Sequence, residues 1–103
     1  MKDKYLFFST GEGTSNPLAW KKEYSGLYPV SKFSGIRPKD STTLVLYFEE
    51  GTTVELGIRN GLHGKIMKTI GDVISNSEKG VIVIADFDGG RFIEHGIQSV
   101  TLS

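Results

Sequence analysis

The sequence predicts a small soluble α+β domain, and three stretches carry that expectation. Residues 43–49 alternate, with Leu44, Leu46 and Phe48 on one side and Val45, Tyr47 and Glu49 on the other. Residues 52–58 resume the period of two, setting Val54, Leu56 and Ile58 against Thr53, Glu55 and Gly57. After Asn60 the spacing changes. Leu62, Ile66, Ile70, Val73 and Ile74 make one apolar stripe at helical spacing, which predicts an amphipathic helix at about 60–76. A strand pair with one strongly apolar face needs a cover, and this helix supplies it.

The remaining elements follow in chain order. Residues 4–9, with Tyr5, Leu6, Phe7 and Phe8, read as a short strand buried on both faces. Residues 10–15 read as a loop, since no Gly-Lys-Ser/Thr follows Gly11-Glu12-Gly13-Thr14 to make it a phosphate loop. Asn16-Pro17 can start a short helix over 18–24, with Asn as the cap and Pro in the first helical position. Residues 28–36 read as extended, led by Val30 and Phe33. Pro38 cannot donate a ladder bond, so the end at 36–38 is expected to leave a sheet interior, and residues 38–41 are expected to turn the chain into the hairpin. Glu50-Gly51 is the hairpin turn, because glycine accepts the positive φ it requires.

Gly64 and Gly71 sit inside the helix, each at a cost of about 1 kcal/mol relative to Ala, and are expected to let it approach the sheet closely. Its polar face carries His63, Lys65, Lys68 and Asp72. Residues 81–87 form a nearly continuous apolar run, as a strand covered on both sides would. Asp88-Gly89-Gly90 is a strong hairpin turn. Residues 92–95 and 97–102 read as the last two strands, with a bend at Gly96.

Bulk composition narrows the function classes. At 103 residues the chain is one domain, residues 1–103, with a modest core. Twelve basic and twelve acidic residues cancel, which argues against a nucleic-acid binder unless charge segregates on an assembled surface. Without cysteine there is no disulfide framework and no thiolate chemistry. Only four apolar residues follow Met1-Lys2-Asp3-Lys4, too few for a signal peptide, and no run approaches the roughly 20 apolar residues of a membrane span. The expected compartment is the cytoplasm.

Catalytic and metal motifs are weak. Asp86, Asp88 and Gly89 lack the further ligands of a calcium loop and read as a turn. His63 and His95 are the only histidines, and their spacing supports no zinc site. His95 near Ser99 is too little for an acid–base set. The expectation is a protein that is not an enzyme, with no metal and no cofactor. Most aromatics are expected to pack the core; Trp20, beside Lys21 and Lys22, is the one expected on the surface, where it could stack on a base.

The last third shows a pattern. Residues 80–103, GVIVIADFDGGRFIEHGIQSVTLS, run an apolar strand to Asp86, then a turn, then a strand ending in His95-Gly96, then Ile97-x-x-Val100. This resembles the second half of the Sm-like fold, especially the bacterial Sm-like RNA chaperones. The hairpin of residues 44–58, with Tyr47 and Gly51, looks like the first two strands of that fold. The resemblance implies a strongly bent antiparallel sheet or small open barrel. Residues 43–103 would be its core, the helix an insertion, and residues 1–38 an extension of strands and loop. Gly80 stands where the family has a stacking aromatic, and Glu94 where it has a lysine. The run YPVSKFSGI followed by TTLVLYFEE also resembles small proteins of marine phages (cyanophages) and ocean metagenomes, which would make the compartment a host cytoplasm.

Partners follow from the same resemblance. Residues 92–102 carry no Pro or Lys, an unguarded edge for strand pairing. Sm-like proteins close rings in that way, so a homo-oligomeric ring is expected unless residues 1–9 cover the edge. Single-stranded RNA or DNA binding is then implied, with His95 at the pore and Asp86, Arg91 and Lys79 near it. Lys65 and Lys68 offer a second, basic track, and Trp20 a stacking group. The alternative is a phage structural or protein-interaction module that binds no nucleic acid.

Overall fold

The computed structural model describes residues 4–10, 25–77, 80–87 and 89–102. In chain order the strands are β1 (Tyr5–Ser9), β2 (Ser25–Pro29), β3 (Phe33–Asp40), β4 (Thr43–Phe48) and β5 (Thr53–Ile58). Helix α1 (His63–Asn76) follows, then β6 (Val81–Asp86), β7 (Arg91–Phe92) and β8 (Ile97–Leu102). They form two sheets, ordered β2-β1-β6-β7 and β3-β4-β5-β8. The α+β class expected from the sequence holds, as a mostly β protein with one helix. One bent antiparallel sheet does not: the described residues form two sheets with no closed barrel, and β1 pairs with β6 in parallel.

The β4–β5 hairpin is as the alternation predicts. Leu44 pairs with Leu56 and Leu46 with Val54, and all four side chains are fully buried. Glu50 and Gly51 carry the turn with φ of 68° and 80°, and the Phe48 N–H donates to the Thr52 carbonyl at 2.9 Å. Val45 is buried too, although it belongs to the opposite face; it sits in a cross-strand row between Arg37 and Glu55.

Residues 28–36 are not one extended run. β2 ends at Pro29, a 3-10 turn takes Val30–Lys32, and β3 starts at Phe33 in the other sheet. The Val30 N–H donates to the Lys4 carbonyl at 2.7 Å, which closes the first sheet just before the crossing. Nor does the chain turn at 38–41. Pro38 stays in β3 opposite Leu44, tolerated because β3 is an edge strand. The turn is Ser41-Thr42, held by the Thr42 N–H donating to Asp40 Oδ1 at 3.0 Å. The Asp40 carbonyl in turn lies 2.8 Å from His63 Nε2, tying this turn to the start of α1.

Four aromatic rings join the sheets. Phe8 of β1 meets Tyr28 of β2 edge-on at 5.6 Å, Tyr28 stacks on Phe48 of β4 at 4.9 Å, and Phe48 meets Phe33 of β3 at 5.6 Å. Tyr28 can lie flat along its strand because Gly26 has no Cβ; one there would come within 2.8 Å of the Tyr28 hydroxyl. Burial pushes that hydroxyl above its ordinary value of 10.0. The expectation of aromatics in the core thus holds for Phe8, Tyr28 and Phe33.

β1 and β6 are buried mainly on one face, not two. Leu6 and Phe8 are enclosed while Tyr5 is exposed, and Val81 is exposed beside buried Ile82. The register between them slips after Phe7, so that Ile84 is skipped and Ala85 faces Phe8. This bulge turns the consecutive residues Ile84 and Ala85 both inward.

Helix α1 buries Ile66 and Ile70, as its stripe predicts. Gly64 and Gly71, however, face outward into open space. The close approach is made at buried Gly96, where a Cβ would run into Leu62 Cδ1 and lie 3.4 Å from Ile66 Cδ1. At the other end of α1, Lys4 Nζ donates to the Ile74 carbonyl at 3.0 Å, a cation at a helix C-terminus.

The last two expected strands part company. β7 is only Arg91–Phe92, and Ile93 makes one more bond to the first sheet, its N–H to the Ile84 carbonyl at 3.2 Å. Gly96 then accepts from the Arg59 N–H at 2.9 Å, and β8 joins the second sheet beside β5. Among the described residues no helix is long and apolar enough to cross a membrane. The expected helix near residues 16–24 lies outside the described residues.

Two predictions follow from these contacts. Gly96→Val should overpack the α1 contact and cost about 1–3 kcal/mol, whereas Gly64→Ala and Gly71→Ala should each stabilise by about 0.5–1 kcal/mol. Urea midpoints of the three variants test this, and a neutral Gly96→Val removes the contact from the account. The second concerns acid. The Thr42 N–H, then the Thr43 side chain, hold the Asp40 carboxyl below its ordinary value of 3.8. A carboxyl lowered by folding stabilises fully above its unfolded value, and that contribution is lost as the pH falls through the folded one. The Thr42 amide should therefore exchange faster in strong acid, a change that Asp40→Asn should abolish in amide-exchange measurements.

Candidate interaction surface

Between Arg91 and Gly96 the chain runs antiparallel to α1, and this pairing brings most of the candidate residues to one side of the molecule. Gly96 sits against Leu62 and Ile66 in the first turns of the helix. Beside Ile66 on the same turns, Lys65 Nζ lies 3.6 Å from Glu94 Oε1. Beyond that, Asp72, Val73, Asn76 and Ser77 face Arg91, Phe92 and Ile93 across an open groove of about 620 Å³, with Val81, Ile82 and Val83 also lining it.

The sequence reading treats His95 and the lysine pair as two separate tracks; the structure joins them. Glu94 Oε1 receives both the Lys65 ammonium and the His95 backbone N–H, the latter at 3.3 Å. Glu94 is largely buried, 15% exposed, while Lys65 is 65% exposed. The Glu94 carboxylate, which stands where the Sm-like pattern has a lysine, is therefore partly neutralised by Lys65, and Lys65 is equally spent on it. Lys68 and the His95 side chain remain exposed, and neither makes an ion pair among the described residues.

Asp86 and Arg91 belong to the other end of the strip. They stand opposite each other where β6 meets β7, and Asp86 Oδ1 accepts the Gly89 N–H at 2.9 Å. That bond explains the glycine: a Cβ at Gly89 would lie 2.6 Å from Asp86 Oδ2. Asp86 thus holds a turn. Arg91 is exposed at the rim of the groove and makes no ion pair or hydrogen bond among the described residues. Trp20, Lys79 and the Trp20-Lys21-Lys22 surface lie outside the described residues.

Two features escaped sequence reasoning. Glu94 bridges helix and loop, a pairing across 29 residues of chain that no periodicity encodes. Phe92 and Val81 are exposed apolar groups at the groove, 37% and 48%, although Val81 lies in a run that reads as covered on both sides. Among the described residues no three His, Asp or Glu side chains gather as a metal site would require.

The Lys65–Glu94 pair should couple weakly, by about 0.2–1 kcal/mol, because one partner is solvated. A double-mutant cycle on Lys65→Ala and Glu94→Gln measures it, and a coupling near 3 kcal/mol would show the pair to be far drier than its exposure implies. Comparison with known proteins leaves the geometry to speak for itself: no protein-family model, no curated protein and no solved structure matches the chain.

Proposed function

We propose that the protein is a non-catalytic interaction module that assembles with copies of itself by strand addition at β8. One observation carries this reading. β8 ends the second sheet, and no described strand pairs with its outer edge. Ile97, Val100 and Leu102 anchor it in the core, while Gln98, Ser99 and Thr101 are exposed and uncharged. Such an edge has none of the lysines or prolines that keep strands from pairing. β1, which the sequence offered as a cover for this edge, lies inside the other sheet. A ring closed by repeated addition is the assembly that the Sm-like resemblance implies, in the host-cell cytoplasm that the phage resemblance implies.

A second reading is weak binding of single-stranded RNA or DNA along Lys65, Lys68 and His95. The observation favouring it is the joining of helix face and loop through Glu94, which a ring would repeat around its circumference. Binding by charge without a base pocket depends on salt, with a slope of about −0.7 in log K against log salt for each phosphate neutralised.

Light scattering at micromolar concentration should give an oligomer for the wild type and a monomer for Gln98→Lys/Thr101→Lys, whose changes are confined to exposed edge positions. A monomeric wild type ends the assembly reading. Oligo-U and oligo-A titrations at two salt concentrations, on wild type, His95→Ala and Lys65→Glu/Lys68→Glu, decide the second. Loss with the lysine pair places binding on the helix face, loss with His95 places it on the loop, and no binding at low salt leaves assembly alone.

A further inference from the structure

Among the described residues β6 has an open edge of its own, distinct from that of β8 and in the other sheet. The parallel ladder with β1 fixes which backbone groups face it. The Tyr5 N–H donates to the Gly80 carbonyl at 2.8 Å, Tyr5 stands level with Val81, and Phe7 stands level with Val83. In a parallel pair a residue so placed bonds the two neighbours of the residue opposite it. Tyr5 therefore bonds Gly80 and Ile82, and the N–H and C=O of Val81 turn to the other side. Val83, opposite Phe7, does the same. On that side β7 pairs only with Ala85 and Asp86, and Ile93 adds its one bond to the Ile84 carbonyl. Then the chain leaves for the second sheet. The groove of about 620 Å³ lies where β7 would have continued.

We propose that the Val81–Val83 edge is a strand-addition site for an extended peptide of another protein, one with apolar side chains at alternate positions and a carboxylate beside Arg91. Two N–H and two C=O groups at β spacing match extended main chain, and strand addition satisfies them while pockets select side chains. An inward-turned side chain meets Val73, Ile82 and Ile93, which are apolar, and Phe92 supplies an exposed ring on the β7 wall. Charge sets the end preference. Arg91 stands at one rim without an ion pair among the described residues, while the opposite wall offers Asp72 and the carbonyl end of α1, both unfavourable to an anion. A second copy fits less well: its free strand, β8, carries no carboxylate for Arg91.

The site does not depend on assembly through β8, and the two can fail separately. The probe is a capped hexapeptide, acetyl-Thr-Val-Thr-Val-Glu-Ser-amide, titrated to millimolar concentration into the isotope-labelled full chain. Amide resonances of Val81 and Val83 should shift and their exchange should slow. N-methylation of both valines in the peptide should weaken binding about tenfold, as expected for the loss of main-chain bonds. Replacing its glutamate by lysine should weaken binding about fivefold, and the exposed Arg91→Glu change should reverse that preference. Equal binding of the methylated peptide, no response at Val81 and Val83, or an unchanged preference in Arg91→Glu overturns the proposal. So does protection of both amides that grows with protein concentration in the absence of peptide, since a second copy then fills the edge.

Discussion

The contact of α1 with Gly96 is the constraint on which the rest of the arrangement depends. Leu62 Cδ1, at the N-cap of α1, occupies the space where any other residue at 96 would carry a Cβ, and Ile66 Cδ1 lies in contact beside it. With this contact made, the segment after β7 runs beside the helix and not beside β6. The first sheet then loses its fourth strand after two residues, and the second gains β8 as its edge. The β6 edge at Val81–Val83, the place of β8 at the end of the second sheet and the groove between α1 and β7 all go with this one crossing.

The aromatic chain is the complementary restraint. Phe8, Tyr28, Phe48 and Phe33 pass from one sheet to the other in ring contacts of 4.9–5.6 Å. Burial of rings of this size dominates the stability of a small core, and here the rings come from four different strands. The sheets are tied by these side chains and by the chain crossings at Val30–Lys32 and at 93–96. The core residues are enclosed, while β8 turns uncharged side chains outward along its edge.

Charge on the groove side is balanced more than basic. Lys65 is committed to Glu94, Asp72 opposes Arg91 across the groove, and Lys68 alone on that helix face stays uncommitted among the described residues. Recognition of a peptide through its main chain tolerates such a mixed rim; a phosphate backbone favours a continuous positive band. This is the physical ground for ranking protein interaction ahead of nucleic-acid binding.

What the sequence alone determined is everything that depends on local period. The alternation in β4 and β5, the stripe of α1 and the turn at Glu50-Gly51 were legible because neighbours along the chain set them. The candidate residues on α1 were legible for the same reason, since Lys65 and Lys68 lie one turn apart. Tertiary structure decided which strands are neighbours, which glycine takes the helix and which cation is spent. An apolar run such as Val81–Asp86 reads alike whether its edge is covered or open. Gly64, Gly71 and Gly96 are indistinguishable as letters, and only the packing of Leu62 and Ile66 picks out Gly96. Pairing of β1 with β6, or of Lys65 with Glu94, joins residues far apart in sequence, and its free energy comes from burying surfaces that do not meet until the chain has folded.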